Sequence, residues 1–423
     1  MLLSALLLLL LVSDAQSTHY RGTMMTYYPA ETNSDGSISV ILRVKFNFDS
    51  CQDGTFGCTF QNCGVESTIL VNTKIEEVSG SWCQSEKITT RRLPNNSPFQ
   101  LAFASSYWLG NRNAIVDWRA VTGVELRTRS DTNKPNSSPQ TTIFPALSVP
   151  SNCQRNISLL AFDPDGDKVK CRYANLSSSE CDSPCTPPVV LSLSPTCILS
   201  FRATSSSDEG WYAVQMVMED FPRQSITLTQ TNGSQEVKTT NNPISKIPVQ
   251  FAFQVGSAAP SCTDGVYLPR FVFPTPEHGA RFYSPVSQTL EIKIRAEAAQ
   301  SNISGVLFSG PYNVVKSSSG PGNFTLKWTP SLREDGQSHP ICFIVQASSI
   351  YQSELRCVIV TVGKVLSAHL TVVKLKISTT LSLKDKQDEI EKAIKGKLVA
   401  GGLPADIKVH LRSFGPANKT AAP

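Results

Sequence analysis

Apolar and polar side chains alternate at every second position over much of this chain. Ile38–Phe48 reads ISVILRVKFNF and alternates in its second half. Leu290, Ile292 and Ile294 alternate with Glu291, Lys293 and Arg295, and Phe324, Leu326 and Trp328 repeat the pattern. A period of two puts one face of a strand on a core and the other outside. Further strands are predicted at Leu101–Ala104, Ala114–Trp118, Val124–Arg127, Val189–Leu193, Cys197–Phe201, Trp211–Met218, Ser225–Leu228, Ile247–Phe253, Ile341–Gln346 and Leu355–Val362. No helical period competes before residue 364. The pattern predicts an all-β fold of tandem β-sandwiches.

At 423 residues the chain exceeds one ordinary core, and about three domains are expected. The run from Leu126 to Pro139 is polar and rich in Asn, Ser and Pro, and reads as a boundary. The expected divisions are 18–140, 141–257 and 258–363, followed by a small α/β unit at 364–423. In that last unit Leu370–Ile377 and Ile407–Leu411 read as strands. Leu381–Val399 reads as a helix with Ile390, Ala393, Ile394 and Leu398 on one face. Ser382 caps it with Asp385 three residues on, and Gly401-Gly402 ends it. A single β-α-β unit buries too little to fold alone, so it packs on its neighbour or is half of a module.

The N-terminus sets the compartment. Leu2–Val12 is an apolar block followed by the small residues Ser13 to Ser17, the pattern of a signal peptide over 1–17. Eleven residues are too few to span a bilayer, and no later stretch reaches the required length, so no transmembrane anchor is expected. The mature chain reads as soluble, secreted and extracellular. Sequons at Asn95, Asn136, Asn156, Asn175, Asn232, Asn302, Asn323 and Asn418 fit a glycoprotein, with Pro139 close behind the Asn136 sequon.

Twelve cysteines without a paired zinc spacing favour disulfides. Cys51, Cys58, Cys63 and Cys83 are local to the first division and allow three connectivities. The second holds Cys153, Cys171, Cys181, Cys185 and Cys197, and the third holds Cys262, Cys342 and Cys357. Two odd counts imply one bridge between divisions, most simply from Cys262, which leaves Cys342 to face Cys357 across a closing hairpin. Charged residues make up 17% and the net charge is +5, too mild and too dispersed for a nucleic-acid binder.

The sharpest chemical candidate is the turn Asp163-Pro-Asp165-Gly-Asp167, which carries a carboxylate at every second position; Asp220, at the end of a long strand, is a fourth. Such a set suits calcium, a hard cation that takes six to eight oxygens. Asp-Pro-Asp-Gly is equally good turn chemistry. His19, Tyr20, Arg21, Tyr27 and Tyr28 offer aromatic and basic groups for stacking on sugars, or simply the two faces of a first strand. Trp108 with Asn111, Arg112 and Asn113 is a second possible contact loop, and Arg91-Arg92 is a dibasic pair. Catalytic signals are poor: no HExxH and no GxSxG occurs, and no cysteine stands out as a nucleophile.

The run Phe162-Asp-Pro-Asp-Gly-Asp167 followed by a strand resembles cadherin-like and PKD-like extracellular β-sandwich modules, and the fold is expected to be Ig-like or cadherin-like. In cadherins calcium also needs acidic linkers, and no Asp-x-Asn-Asp-Asn occurs here. His19-Tyr-Arg-Gly-Thr, Leu126 to Asn136, Trp211-Tyr-Ala-Val and Glu219-Asp-Phe-Pro are together similar to an uncharacterised family of secreted multidomain animal proteins. The resemblance implies adhesion or recognition through extracellular proteins or glycans, without catalysis. A carbohydrate-binding lectin is the alternative, and a secreted hydrolase is a third class without an anchoring motif.

Overall fold

Lys246–Gly256 reads KIPVQFAFQVG, a nearly continuous apolar run, and such runs form strands buried on both faces. In the computed structural model this strand organises the first two thirds of the chain. One edge pairs antiparallel with Gly210–Phe221 along its whole length, from Gly210↔Val255 to Glu219↔Lys246. Its other edge is divided among three partners. Trp118–Val124 meets it at Gly123↔Lys246, Tyr20–Thr32 at Met24↔Val249, and Ala146–Pro150 runs parallel to it from Ala146↔Ala252. The resulting sheet has eleven strands. The structure describes residues 19–33, 35–52, 54–348, 350–363 and 387–400, with Ile407 and Val409.

The fold is all-β, as the alternation predicts, but the boundary at 140/141 is crossed by this one sheet. The polar run from 126 to 139 is only partly exposed: Thr128, Ser130, Asp131, Asn133 and Lys134 face solvent, while Leu126, Arg129, Asn136 and Ser138 are fully buried or nearly so. Its polar groups find partners inside the protein, which removes the cost of burying them. The cores are shared as well. One cluster joins Met24 and Trp82 to Phe144, Phe201, Met216 and Phe251, and onward to Cys342, Ile344 and Ile359. The three divisions therefore pack as one body of sandwiches rather than as beads on a string.

Residues 258–363 form a sandwich of their own. Arg270–Val272, Leu290–Glu297, Asn323–Trp328 and Val315–Gly320 make one sheet. Ala280–Ser284, Arg356–Val362, Ser338–Ala347 and Ile303–Ser309 make the other, with Tyr351–Gln352 paired on Ser338–Ala347. In Leu290–Glu297, Ile292, Ile294 and Ala296 point into a core with Trp328, Phe343 and Val360, while Glu291, Lys293 and Arg295 stay outside. Ala114–Trp118 departs from expectation. The strand begins at Trp118 and runs to Val124, because Ala114 sits at a left-handed φ of 58° in the preceding turn.

All twelve cysteines pair: Cys51–Cys83, Cys58–Cys63, Cys153–Cys262, Cys171–Cys197, Cys181–Cys185 and Cys342–Cys357. The bridge expected from Cys262 runs to Cys153, and Cys342 faces Cys357 as a register partner. In the C-terminal unit the helix is Gln387–Ala400. The strands expected at Leu370–Ile377 and Ile407–Leu411, and the leader 1–17, lie outside the described residues apart from Ile407 and Val409. Among the described residues no helix is long and apolar enough to cross a membrane.

Candidate functional site

The acidic turn is built by its own first carboxylate. Asp163 Oδ1 accepts the backbone N–H groups of Asp165 (2.9 Å) and Asp167 (3.1 Å), and Gly166 turns the chain at φ +86°, a region that favours glycine. The following strand, Lys168–Tyr173, pairs with Gly210–Phe221 in a register that sets Val169 opposite Asp220. Oxygens of Asp163, Asp167 and Asp220 thereby come within 4.8 Å of one another. Cys171–Cys197 ties this strand to the opposite layer beside Ile198–Phe201.

A group missing from the sequence-based set, Arg129, fills the middle of the cluster. Its side chain is fully buried and forms a fork with Asp167, with Nη2 donating to Oδ1 at 2.9 Å. Nε and Nη2 also donate to Asp131 at 3.0 and 2.8 Å, Nη1 donates to Asn136 Oδ1 at 2.6 Å, and Asp165 lies 3.7 Å away. Asp220 is equally engaged. Its Oδ1 accepts from Ser245 N and Oγ (2.8 and 2.7 Å), and its Oδ2 accepts from Asn136 Nδ2 (2.7 Å). Asp165 accepts the Ser137 N–H at 2.6 Å. Of the oxygens of Asp163, Asp165, Asp167 and Asp220, Asp163 Oδ2 is the one buried without a partner among the described residues.

Burial dominates the electrostatics. It raises the Asp163 carboxyl to about 8, with the Asp220 charge as the next cause, and raises Asp220 to about 7. Asp165 is also raised, first by burial. For Arg129, burial pulls the guanidinium pKa down, but the bonds to Asp167 and Asp131 outweigh it and the pKa rises. Calcium needs six to eight oxygens. Here both Asp167 oxygens face Arg129, both Asp220 oxygens hold donors, and one free carboxylate oxygen is left on Asp163. In this arrangement Arg129 sits against Asp167 where a cation would, and Asp163 Oδ2 is the carboxylate oxygen of the triad left without a donor.

The other sequence candidates fall into place as structure. Tyr20, Tyr27, Tyr28 and Arg21 are buried, with the Tyr20 ring stacked on Trp118 at 3.9 Å and the Tyr28 hydroxyl donating to Ser338 O at 2.9 Å. Trp108 is buried too, and Asn113 bonds the backbone of Ala213 in both directions. Arg91 is buried against Glu66, within the strand Trp82–Leu93. Of the sequons, Asn156, Asn175, Asn232, Asn302 and Asn323 are exposed and Asn95 is half-buried, while Asn418 lies outside the described residues. Asn136 is wholly buried between Arg129 and Asp220, which corrects its reading as a glycan acceptor.

The concave site lies elsewhere, where the second and third divisions meet. A cleft of about 480 Å³ is lined by Ser148, Glu209, Gln254 and Ser257 on one side and by Gln346, Ile350, Tyr351 and Gln352 on the other, among others. Ser148, Gln254 and Trp211 are register neighbours across three strands. Glu209 accepts the hydroxyls of Ser151 (3.0 Å) and Ser257 (3.4 Å). Gln352 reaches back onto the edge of Ala146–Pro150, accepting from Ser148 N at 2.8 Å and donating to Ala146 O at 3.5 Å. Gln254 and Gln346 are partly exposed, and their side-chain amides make no hydrogen bond to other described residues. Sequence reasoning missed them. Their one signal is a glutamine near the end of an otherwise apolar run, in VQFAFQVG and ICFIVQA.

No family model and no curated protein matches the chain. Among solved structures it is similar to Ig-like, fibronectin-like and cadherin-like β-sandwich modules. The fibronectin(III)-like modules of Clostridium thermocellum CbhA share 14% identity over 54% of this chain and 94% of that one, with a TM-score of 0.19. The EC1–3 segment of Drosophila N-cadherin shares 12% over 71% and 89%, at 0.21. The sialic acid binding region of a Streptococcus sanguinis adhesin shares 11% over 77% and 74%, at 0.20. Scores this low carry no argument about function.

Proposed function

We propose that this chain is an extracellular recognition protein that binds its ligand without chemistry, in the cleft between its second and third divisions. The carrying observation is the pair of part-exposed glutamines, Gln254 and Gln346, whose side-chain amides make no hydrogen bond to other described residues in that cleft. A concave site with a few convergent polar groups is where a ligand commonly finds its hydrogen-bond partners. Six disulfides with no free cysteine support an oxidising, extracellular setting. Glu209 is the one acid in the lining. Hydrolysis of a glycosidic bond ordinarily needs a pair of carboxylates, which supports binding over catalysis.

The test is saturable binding of the labelled, secreted chain to intact cells and to immobilised extracellular proteins and glycans. The Gln254→Ala/Gln346→Ala variant is expected to lose that binding while keeping its thermal unfolding midpoint. Saturable binding that the double variant retains in full would move recognition to another surface.

A further inference from the structure

Resting on that reading, we infer that the cleft takes an uncharged saccharide. Each free glutamine amide offers two N–H donors and a carbonyl acceptor, and Glu209 offers acceptor capacity beyond its two serine hydroxyls. Neighbouring sugar hydroxyls, each donor and acceptor at once, complement that mixture. No lysine, arginine or histidine lines the cleft, and Arg112 meets Glu209 only at its backbone carbonyl. A sialylated or sulphated ligand would set its negative charge against Glu209 with no lining cation to answer it. Ile350, 59% exposed, and the edge of Tyr351 supply apolar surface for the C–H face of a ring. The cleft volume of about 480 Å³ is that of a small-ligand site.

The geometry also argues against the main rival, an extended peptide added as a strand. Such a peptide needs an open backbone edge. On Ala146–Pro150 that edge is occupied by the Gln352 amide, which uses the Ser148 N–H and the Ala146 carbonyl, and Pro150 has no N–H to give.

The experiment is a glycan array of uncharged hexose and N-acetylhexosamine oligosaccharides beside their sialylated and sulphated counterparts, followed by titration calorimetry on the best uncharged binder. Uncharged glycans are expected to bind. Gln254→Ala/Gln346→Ala is expected to weaken them by roughly tenfold or more, the loss of about 1.4 kcal/mol. Gln254→Glu keeps the shape and removes the donors, so a similar loss there excludes a packing effect. Binding confined to acidic glycans overturns the inference, and so does uncharged-glycan binding that the variants leave intact. Protein binding that the double variant abolishes, with a silent array, overturns the saccharide but leaves recognition through the cleft standing. Loss of neither protein nor glycan binding overturns both.

Discussion

Two of the places where this molecule gathers polar side chains use them in opposite ways. Around the acidic turn, Arg129, Asn136, Ser137 and Ser245 meet nearly every carboxylate oxygen of Asp165, Asp167 and Asp220. In the cleft, the side-chain amides of Gln254 and Gln346 make no hydrogen bond to other described residues. The turn carries the more conspicuous sequence and the greater charge, yet its groups are spent on each other. The cleft is quiet in sequence and leaves capacity unused. Completed networks hold a fold together; incomplete ones at a concave surface are positioned to bind.

The comparison breaks first at Arg129. Arg129→Met leaves Asp167 buried without its cation, strips the partner from the more exposed Asp131, and is expected to cost on the order of 4 kcal/mol in denaturant unfolding. A loss below about 1 kcal/mol would mean that the cluster is solvated and not a structural network.

Next is the seam itself. Cys153–Cys262 closes 109 residues beside Ser151, whose hydroxyl holds Glu209. Replacing both cysteines by alanine is expected to lower stability by about 3 kcal/mol, read by chemical denaturation.

The buried acids predict a pH dependence. Asp163 and Asp220 have folded pKa values raised above the unfolded value of about 4, so the folded state holds their protons more tightly. Their contribution to stability is full below that unfolded value and is lost as pH rises through 7 to 8. Asp163→Asn is expected to flatten this slope and to raise stability at pH 8 by on the order of 2 kcal/mol, measured by unfolding at pH 5 and pH 8. A wild-type slope of opposite sign would contradict the burial argument.

At the small end, Gln254→Ala and Gln346→Ala are each expected to change stability by less than about 0.5 kcal/mol, because they break no bond within the fold. Adding millimolar calcium or a chelator is expected to shift the melting temperature by less than about 1 °C, since one free oxygen on Asp163 makes no site. A calcium-dependent rise of several degrees would return the turn to the status of a metal site.

Much of the construction was legible in the sequence. Alternation placed Leu290–Glu297 and Asn323–Trp328, and cysteine parity found the partner division of Cys262. What misled was polarity read as exposure. Residues 126–139 look like a linker because nothing local says that Asp165, Asp167 and Asp220 will arrive to meet them. Tyr20 and Tyr27 fall on the two faces of a first strand by alternation, and a period of two does not report that layers cover both faces. The cleft was invisible for a related reason: Glu209, Gln254 and Gln346 approach through tertiary packing, with no spacing along the chain to announce them.

The strand Lys246–Gly256 also fixes an order of events during synthesis. Tyr20–Thr32, Trp118–Val124 and Ala146–Pro150 all lie against an edge that emerges from the ribosome only after they do. Chains fold from the N-terminus as they are made. Through some two hundred residues of elongation, then, the earliest strands carry an open edge. A chain stopped before residue 246 would keep that edge permanently, and quality control would meet it as an unfinished sheet.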